Sequence, residues 1–303
     1  MSSAVSIAKP SPAEAKREQH APAMTRRSTR IWRELRRNGV AAAGAAFLLL
    51  IVLSAVCAPL LTHYDPTKQD LLSRLESPSA THWLGTDEVG RDVFSRLAYG
   101  ARISLFVALL GTAGGVVFGT LVGLVSGFFG GWTDTLLMRV VDIMYAFPGV
   151  LLVILIVSVL GPSLWNLILA LTIWGTPTLS RIVRASVLSL KAEDYVLAAR
   201  TIGATRGRLM TAHLLPNAMA PIIVYATLGV AGSLLTAAGL GFLGLGVQPP
   251  TPEWGAMLSG GRQYVISAPY LVTFPGLLIF VTVLSLNFIG DALRDALDPR
   301  TGR

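Results

Sequence analysis

Charge is scarce in this chain, and cysteine scarcer. Asp, Glu, Lys and Arg make up 14% of the 303 residues, against about 25% in soluble domains. Five stretches, 38–64, 103–133, 143–180, 209–252 and 263–290, contain none of the four. With 52% of the chain apolar, this excludes an ordinary water-soluble domain. A spanning helix needs about 20 apolar residues at 1.5 Å rise each, and every stretch is long enough. The lone Cys57 excludes an internal disulfide and a Cys-rich metal site. It lies in the first apolar run, where it reads as a small buried hydrophobe. Val56, just before it, is too large for a cleavage site at a lipidated cysteine.

Other absences bear on chemistry. A P-loop needs Lys after Gly, and Lys9, Lys16, Lys68 and Lys191 all follow other residues. His20, His63, His82 and His213 lack metal-ligand spacing. There is no G-x-S-x-G elbow and no paired-carboxylate site within the apolar runs. The expectation is therefore no catalytic residue, no metal and no cofactor held by this chain. A self-powered carrier or channel is the rival reading. It would place ionisable residues at mid-bilayer to bind coupling ions, and the apolar runs hold none. The energy source is expected outside the chain.

What is present is a topology. Gly161-Pro162 divides the 143–180 stretch, since Pro breaks the helical ladder, and Gly239, Gly241, Gly244 and Gly246 fray the end of 209–252. Six spans result, at about 39–61, 103–127, 143–160, 164–181, 218–240 and 270–290. With the N-terminus inside, the inner pieces hold 19 of the 25 Lys and Arg residues, so both termini are expected to be cytoplasmic. The net charge of +8 then reflects topology and affinity for anionic headgroups. Nucleic acid is not an expected partner, because the basic residues flank spans instead of forming a stripe on a folded domain.

Residues 1–30 read as disordered, with Met24 an alternative start. Arg30–Arg37 reads as a basic amphipathic lead-in, completing a cytoplasmic tail over 1–38. On the outer side, 86–100 carries Asp87–Arg91 and Asp92–Arg96 at i,i+4 spacing, which predicts an amphipathic surface helix. Gly111, Gly115, Gly119, Gly123 and Gly127 recur every four residues, a ridge without side chains that lets a neighbouring helix approach closely. Tight packing and a sliding interface both fit that ridge. Arg139 and Asp142, at i,i+3, read as a local ion pair or a docking point.

Between spans four and five lies a polar inner loop, 185–217, that includes LAARTIGATRGRLMTAHLLP (197–216). Ala198 and Ala199 are small enough for a short helix to seat in a partner's groove, Gly203 ends that helix, and Pro216 sets the angle of the next span. Arg200, Arg206 and Arg208 fit the positive-inside bias.

Several further stretches, in this order, resemble one family. They are HWLGTDEVGRDVFSRLAYGARISL (82–105); Asp134, Met138, Arg139, Asp142 and Ala146-Phe147-Pro148; LGFLGLGVQPPTPEWGAML (240–258); and Asn287, Gly290-Asp291, Leu293-Arg294-Asp295 and Leu297-Asp298-Pro299-Arg300. The chain is similar, after its tail, to the C-type permease subunit of bacterial dipeptide/oligopeptide ATP-binding-cassette importers. The resemblance implies an all-α bundle of six transmembrane helices over 39–290, of the type I importer-permease kind, with a cytoplasmic tail at 291–303 in a bacterial inner membrane. It implies a second homologous permease, two ATP-binding subunits that hold ATP and Mg, an extracytoplasmic solute-binding protein and short peptides as cargo. Relatives carrying nickel chelates, glutathione or haem leave that cargo open. It also identifies Ala198, Ala199, Gly203, Leu215 and Pro216 with the coupling motif. The family's Glu before the paired Ala is here Leu197, so Glu193 or Asp194, about one turn earlier, is expected to supply the charge contact.

Overall fold

A computed structural model describes residues 38–297. The expected tail over 1–30, the whole amphipathic lead-in Arg30–Arg37 and Asp298-Pro299-Arg300 lie outside them. The fold is all α-helical among the described residues. Helix α1 (Gly39–Val56) starts where the Asn38 side chain accepts the N–H groups of Val40 and Ala41, both at 3.2 Å. Helix α2 (Val93–Phe129) runs for 37 residues and stops at Gly130, whose φ of +66° turns the chain left-handed. Helices α3 (Gly131–Tyr145) and α4 (Gly149–Leu160) are bent 87° apart across Ala146-Phe147-Pro148. Pro148 cannot donate to a continuing ladder, and it disfavours the helical region for the residue before it. Helix α5 (Leu164–Leu190) follows Ser163, which caps Asn166 N–H, and α6 (Asp194–Thr201) lies beyond it. Short turns lead into α7 (Leu215–Phe242), then come a short helix α8 (Trp254–Gly261) and α9 (Tyr270–Leu297).

Four helical runs are long and apolar enough to cross a membrane: α1, α2, 206–242 and α9; the bent α3–α4 pair brings the number to five. Helix α5 is also long enough, at 27 residues. Many apolar side chains on these helices are exposed on the bundle surface, among them Leu50, Phe118, Leu155 and Phe280, as a lipid solvent requires.

Three apolar clusters hold the bundle. At one end Ile51, Leu97, Leu234, Trp254 and Leu271 join α1, α2, α7, α8 and α9. Val107, Val153, Leu167, Leu171 and Leu240 join α2, α4, α5 and α7. At the opposite end Leu124, Val183, Val187, Leu214 and Ile222 join α2, α5 and α7, with α6 tucked against them through Val196 and Ala199.

The structure corrects two expectations. Residues 86–92 are not part of a surface helix. Asp92 ends a loop and caps α2, accepting Ser95 N–H at 2.7 Å, so the helix begins only at Val93 and runs straight into the span. Nor are the charges exposed: Asp87, Arg91, Asp92 and Arg96 are all buried. Asp87 sits 2.6 Å from Arg91 Nε and 3.3 Å from Arg96 Nε, while Asp92 pairs with His82 at 2.9 Å. Second, Asp142 does not pair with Arg139. Its carboxylate takes Arg181 Nη2 of α5 at 2.7 Å, because the bend lays α3 across α5 and brings the two helices' side chains together.

Candidate functional site

The loop over 185–217 is built from the end of α5 upward. Lys191 N–H donates to the Val187 carbonyl at 2.9 Å and closes the helix, and Lys191 Nζ donates to the Phe128 carbonyl at 2.6 Å, tying the ends of α5 and α2. Helix α6 then runs for eight residues with Glu193 at its N-cap and Asp194 in its first turn, where carboxylates favour the helix dipole. Both side chains are exposed.

The two alanines face opposite ways. Ala199 is 6% exposed and packs with Val196, Leu209 and Leu214 in the inner cluster, fastening α6 to the bundle. Ala198 points outward among Tyr195, Leu197 and Ile202. Leu197 is 48% exposed and Ile202 87%. Leu197, at the position where the family pattern has Glu, lies on the adjoining side of α6, toward Arg200 and the ends of α2 and α5. The Tyr195 hydroxyl is raised above its ordinary pKa, by partial burial first and by the Glu193 charge second.

Gly203 follows with φ +86°, and Ala204 N–H returns to Ala199 O at 3.0 Å, a left-handed helix end that glycine adopts without strain. Thr205 then caps a new turn, Arg206–Arg208. A π-helical turn, Leu209–Leu214, leads to Leu215 and Pro216. The wider turn fits the proline: with no N–H on residue 216 and its ring against the carbonyl four residues back, an i→i+5 register relieves the clash. The chain from 206 to 242 is consequently one continuous helical run, and Pro216 lies inside it, beyond its start.

The five ridge glycines of α2 all face α5. A Cβ on Gly111, Gly119 or Gly127 would lie 2.7–2.9 Å from side-chain carbons of Leu171, Leu179 and Val187; on Gly115 it would meet the Gly175 backbone at 3.2 Å, and on Gly123 the Ser180 carbonyl at 2.5 Å. The most extensive helix contact of the bundle is this one.

Sequence reasoning missed a clasp beside the loop. Asp134 of α3 receives Arg184 Nε and Nη2 of α5, each at 2.6 Å, together with the Ser126 hydroxyl of α2. Arg181 adds the bond to Asp142 and stacks over the Tyr145 ring at 4.0 Å. The signal was Arg181 and Arg184 at i,i+3 near the end of an apolar run, on one helix face. At the opposite end of the bundle, buried Glu253 caps α8 by accepting Gly255 and Ala256 N–H at 2.8 Å each, and Ser104 Oγ donates to it at 3.2 Å.

Comparison with known proteins adds the following. Residues 119–303 match the family model described as binding-protein-dependent transport system inner membrane component, and 28–78 match the N-terminal TM domain of oligopeptide transport permease C. The dipeptide transport system permease protein DppC of Alkalihalophilus pseudofirmus is 50% identical over 273 residues, covering 89% of this chain and 90% of that one. The di/tripeptide transport system permease protein DppC of Pseudomonas aeruginosa is 48% identical, covering 89% and 91%. The glutathione transport system permease protein GsiD of Pectobacterium atrosepticum is 43% identical, covering 89% and 90%. Among solved structures, an inward-facing MetNI methionine ABC transporter chain aligns with TM-score 0.54 at 21% identity, covering 67% of this chain and 96% of that one, a likeness of fold.

Proposed function

Since this chain belongs to the binding-protein-dependent transport system inner membrane component family, we propose that it is the permease half of an importer for short peptides, driven by separate ATPase subunits. It is a multi-pass membrane permease subunit, and ATP hydrolysis would fall to its partners. A related but distinct permease would complete the pathway. Two ATP-binding subunits, holding ATP and Mg, would dock on α6, and a solute-binding protein would deliver cargo to the opposite face. Both termini would then be cytoplasmic.

The observation that carries the reading is the exposed face of α6. A helix anchored by buried Val196 and Ala199 but presenting Leu197, Ala198 and Ile202 to solvent is an apolar surface waiting for a groove. In the proposed cycle, ATP binding closes the ATPase pair and pulls α6. The ties from α6 to α5 and α7 carry that pull into the bundle, which opens outward to receive peptide. Hydrolysis resets it. The relatives' names point to dipeptides, di/tripeptides and glutathione. Glutathione is itself a tripeptide, so the shared chemistry is a small peptide with free carboxylate and amino groups.

The test is purification of the native complex in mild detergent from wild type and Ile202→Asp, with the partners identified by mass spectrometry. The wild type should bring down ATP-binding subunits, a second permease and a binding protein, and the variant should lose the ATPases while keeping the permease. A wild-type chain that purifies without any ATPase would refute the reading and favour a self-powered carrier.

A further inference from the structure

The ends of α2 and α5 and the inner face of α6 enclose a cavity of about 460 Å³. Lys191, Arg200 and Arg206 line it, alongside Phe128, Phe129 and Leu197. No carboxylate lines it among the described residues. The guanidinium groups of Arg200 and Arg206 make no hydrogen bond or ion pair among the described residues. Lys191 Nζ donates one bond to the Phe128 carbonyl and lies 5.7 Å from the Phe128 ring centre, which leaves two of its three protons for a ligand.

Three cations converging without an anion form an unbalanced site, and its position says what would balance it. Phe128 and Phe129 end a spanning helix, and Lys191 directly follows another. The cavity therefore opens at the level where a bilayer's phosphates lie. Phe129 is half exposed, and Trp132, just beyond it, is 80% exposed, as aromatic residues are at a membrane–water boundary. Half-exposed Leu197 supplies an apolar rim on the loop side.

We propose that this cavity binds the headgroup of an anionic phospholipid of the inner leaflet. The phosphate would sit among Lys191, Arg200 and Arg206, and the glycerol and upper acyl carbons would lie on Phe129 and Leu197. The lipid then wedges between α6 and the bundle, so the bilayer becomes part of the coupling element. The proposal rests on this end being cytoplasmic. Its test reads lipid retention, not transport, so its failure leaves the importer reading standing.

The whole importer complex would be reconstituted in nanodiscs of phosphatidylcholine with phosphatidylglycerol, released, and its retained lipids and subunits counted by native mass spectrometry. A basic residue near an anionic headgroup contributes about fivefold in affinity. Retained phosphatidylglycerol should therefore fall on the order of 30-fold in Arg200→Gln/Arg206→Gln and stay near wild type in Arg200→Lys/Arg206→Lys. The same spectra report whether the ATPase subunits remain attached. Equal retention of the two lipids by wild type, or of phosphatidylglycerol by wild type and the Gln variant, overturns the proposal. So does displacement of the lipid by millimolar inorganic phosphate, which marks a free-anion site. Retention that appears only after the ATPases are stripped also overturns it, since the cations then serve partner carboxylates.

Discussion

The same substitution, Gly to Ala, should have opposite signs at two helical positions. At Gly123 a new Cβ would lie 2.5 Å from the Ser180 carbonyl oxygen, 2.8 Å from Val183 Cβ and 3.0 Å from the Arg184 nitrogen. Two of these atoms are backbone, so no rotamer change relieves the clash and α5 itself must move by more than half an ångström. Overpacking of this kind costs about 1–3 kcal/mol, offset by about 1 kcal/mol of helix propensity gained over glycine. Because the clash is with backbone, the cost lies toward the upper end of that range, and the net loss is up to about 2 kcal/mol. At Gly239, exposed on α7, the added Cβ would meet nothing within 4 Å, so only the propensity gain remains. Thermal unfolding of the purified permease complex, at about 2–4 °C per kcal/mol for a domain of this size, should show Gly123→Ala lower by several degrees and Gly239→Ala unchanged or higher. A Gly123→Ala protein as stable as wild type would refute the close crossing of α2 and α5.

Three further outcomes follow from the geometry. Ala198→Trp should leave thermal stability unchanged and abolish ATPase co-purification, whereas Ala199→Trp, at a buried position, should lower the unfolding temperature; the opposite pattern would reverse the assignment of the two faces. A double-mutant cycle of Asp134→Asn and Arg184→Gln, read by unfolding temperature, should give a coupling of about 1 kcal/mol, modest for a bidentate pair because Arg184 is one-third exposed. Burial raises the Glu253 carboxyl above its ordinary value near 4.5, with the N–H groups of Gly255 and Ala256 and the Ser104 hydroxyl opposing. The folded protein therefore holds that proton more tightly than the unfolded chain. The resulting stability is greatest in acid and is lost as pH rises through the raised value. Wild type should gain on Glu253→Gln as pH falls, in unfolding temperature measured across that range.

The spanning helices were legible because lipid selects composition, and long uncharged runs leave little else to read. The glycine ridge was legible for a related reason: its four-residue period has no other use in an apolar helix. The loop over 185–217 stood out by spacing, yet which alanine faces out did not, since one residue's shift on a helix turns the side chain by about 100° and only packing against Val196 and Leu214 decides it. The outer charges misled. Asp87, Arg91, Asp92 and Arg96 carry helical spacing, but a capping Asp92 and a web of buried pairs serve a loop equally well. The bend between α3 and α4 was hidden because Pro148 lay near the start of an assumed span, and the partners of Asp134 and Asp142, 50 and 39 residues away, exist only once that bend is made.

The elbow at Ala146–Pro148 has one more consequence. Its membrane-directed arm, α4, has 12 residues and rises about 18 Å, well short of a hydrocarbon core about 30 Å thick. Along this line of the molecule the greasy slab is pinched: lipid bends inward to meet the helix, or protein stands where lipid would be.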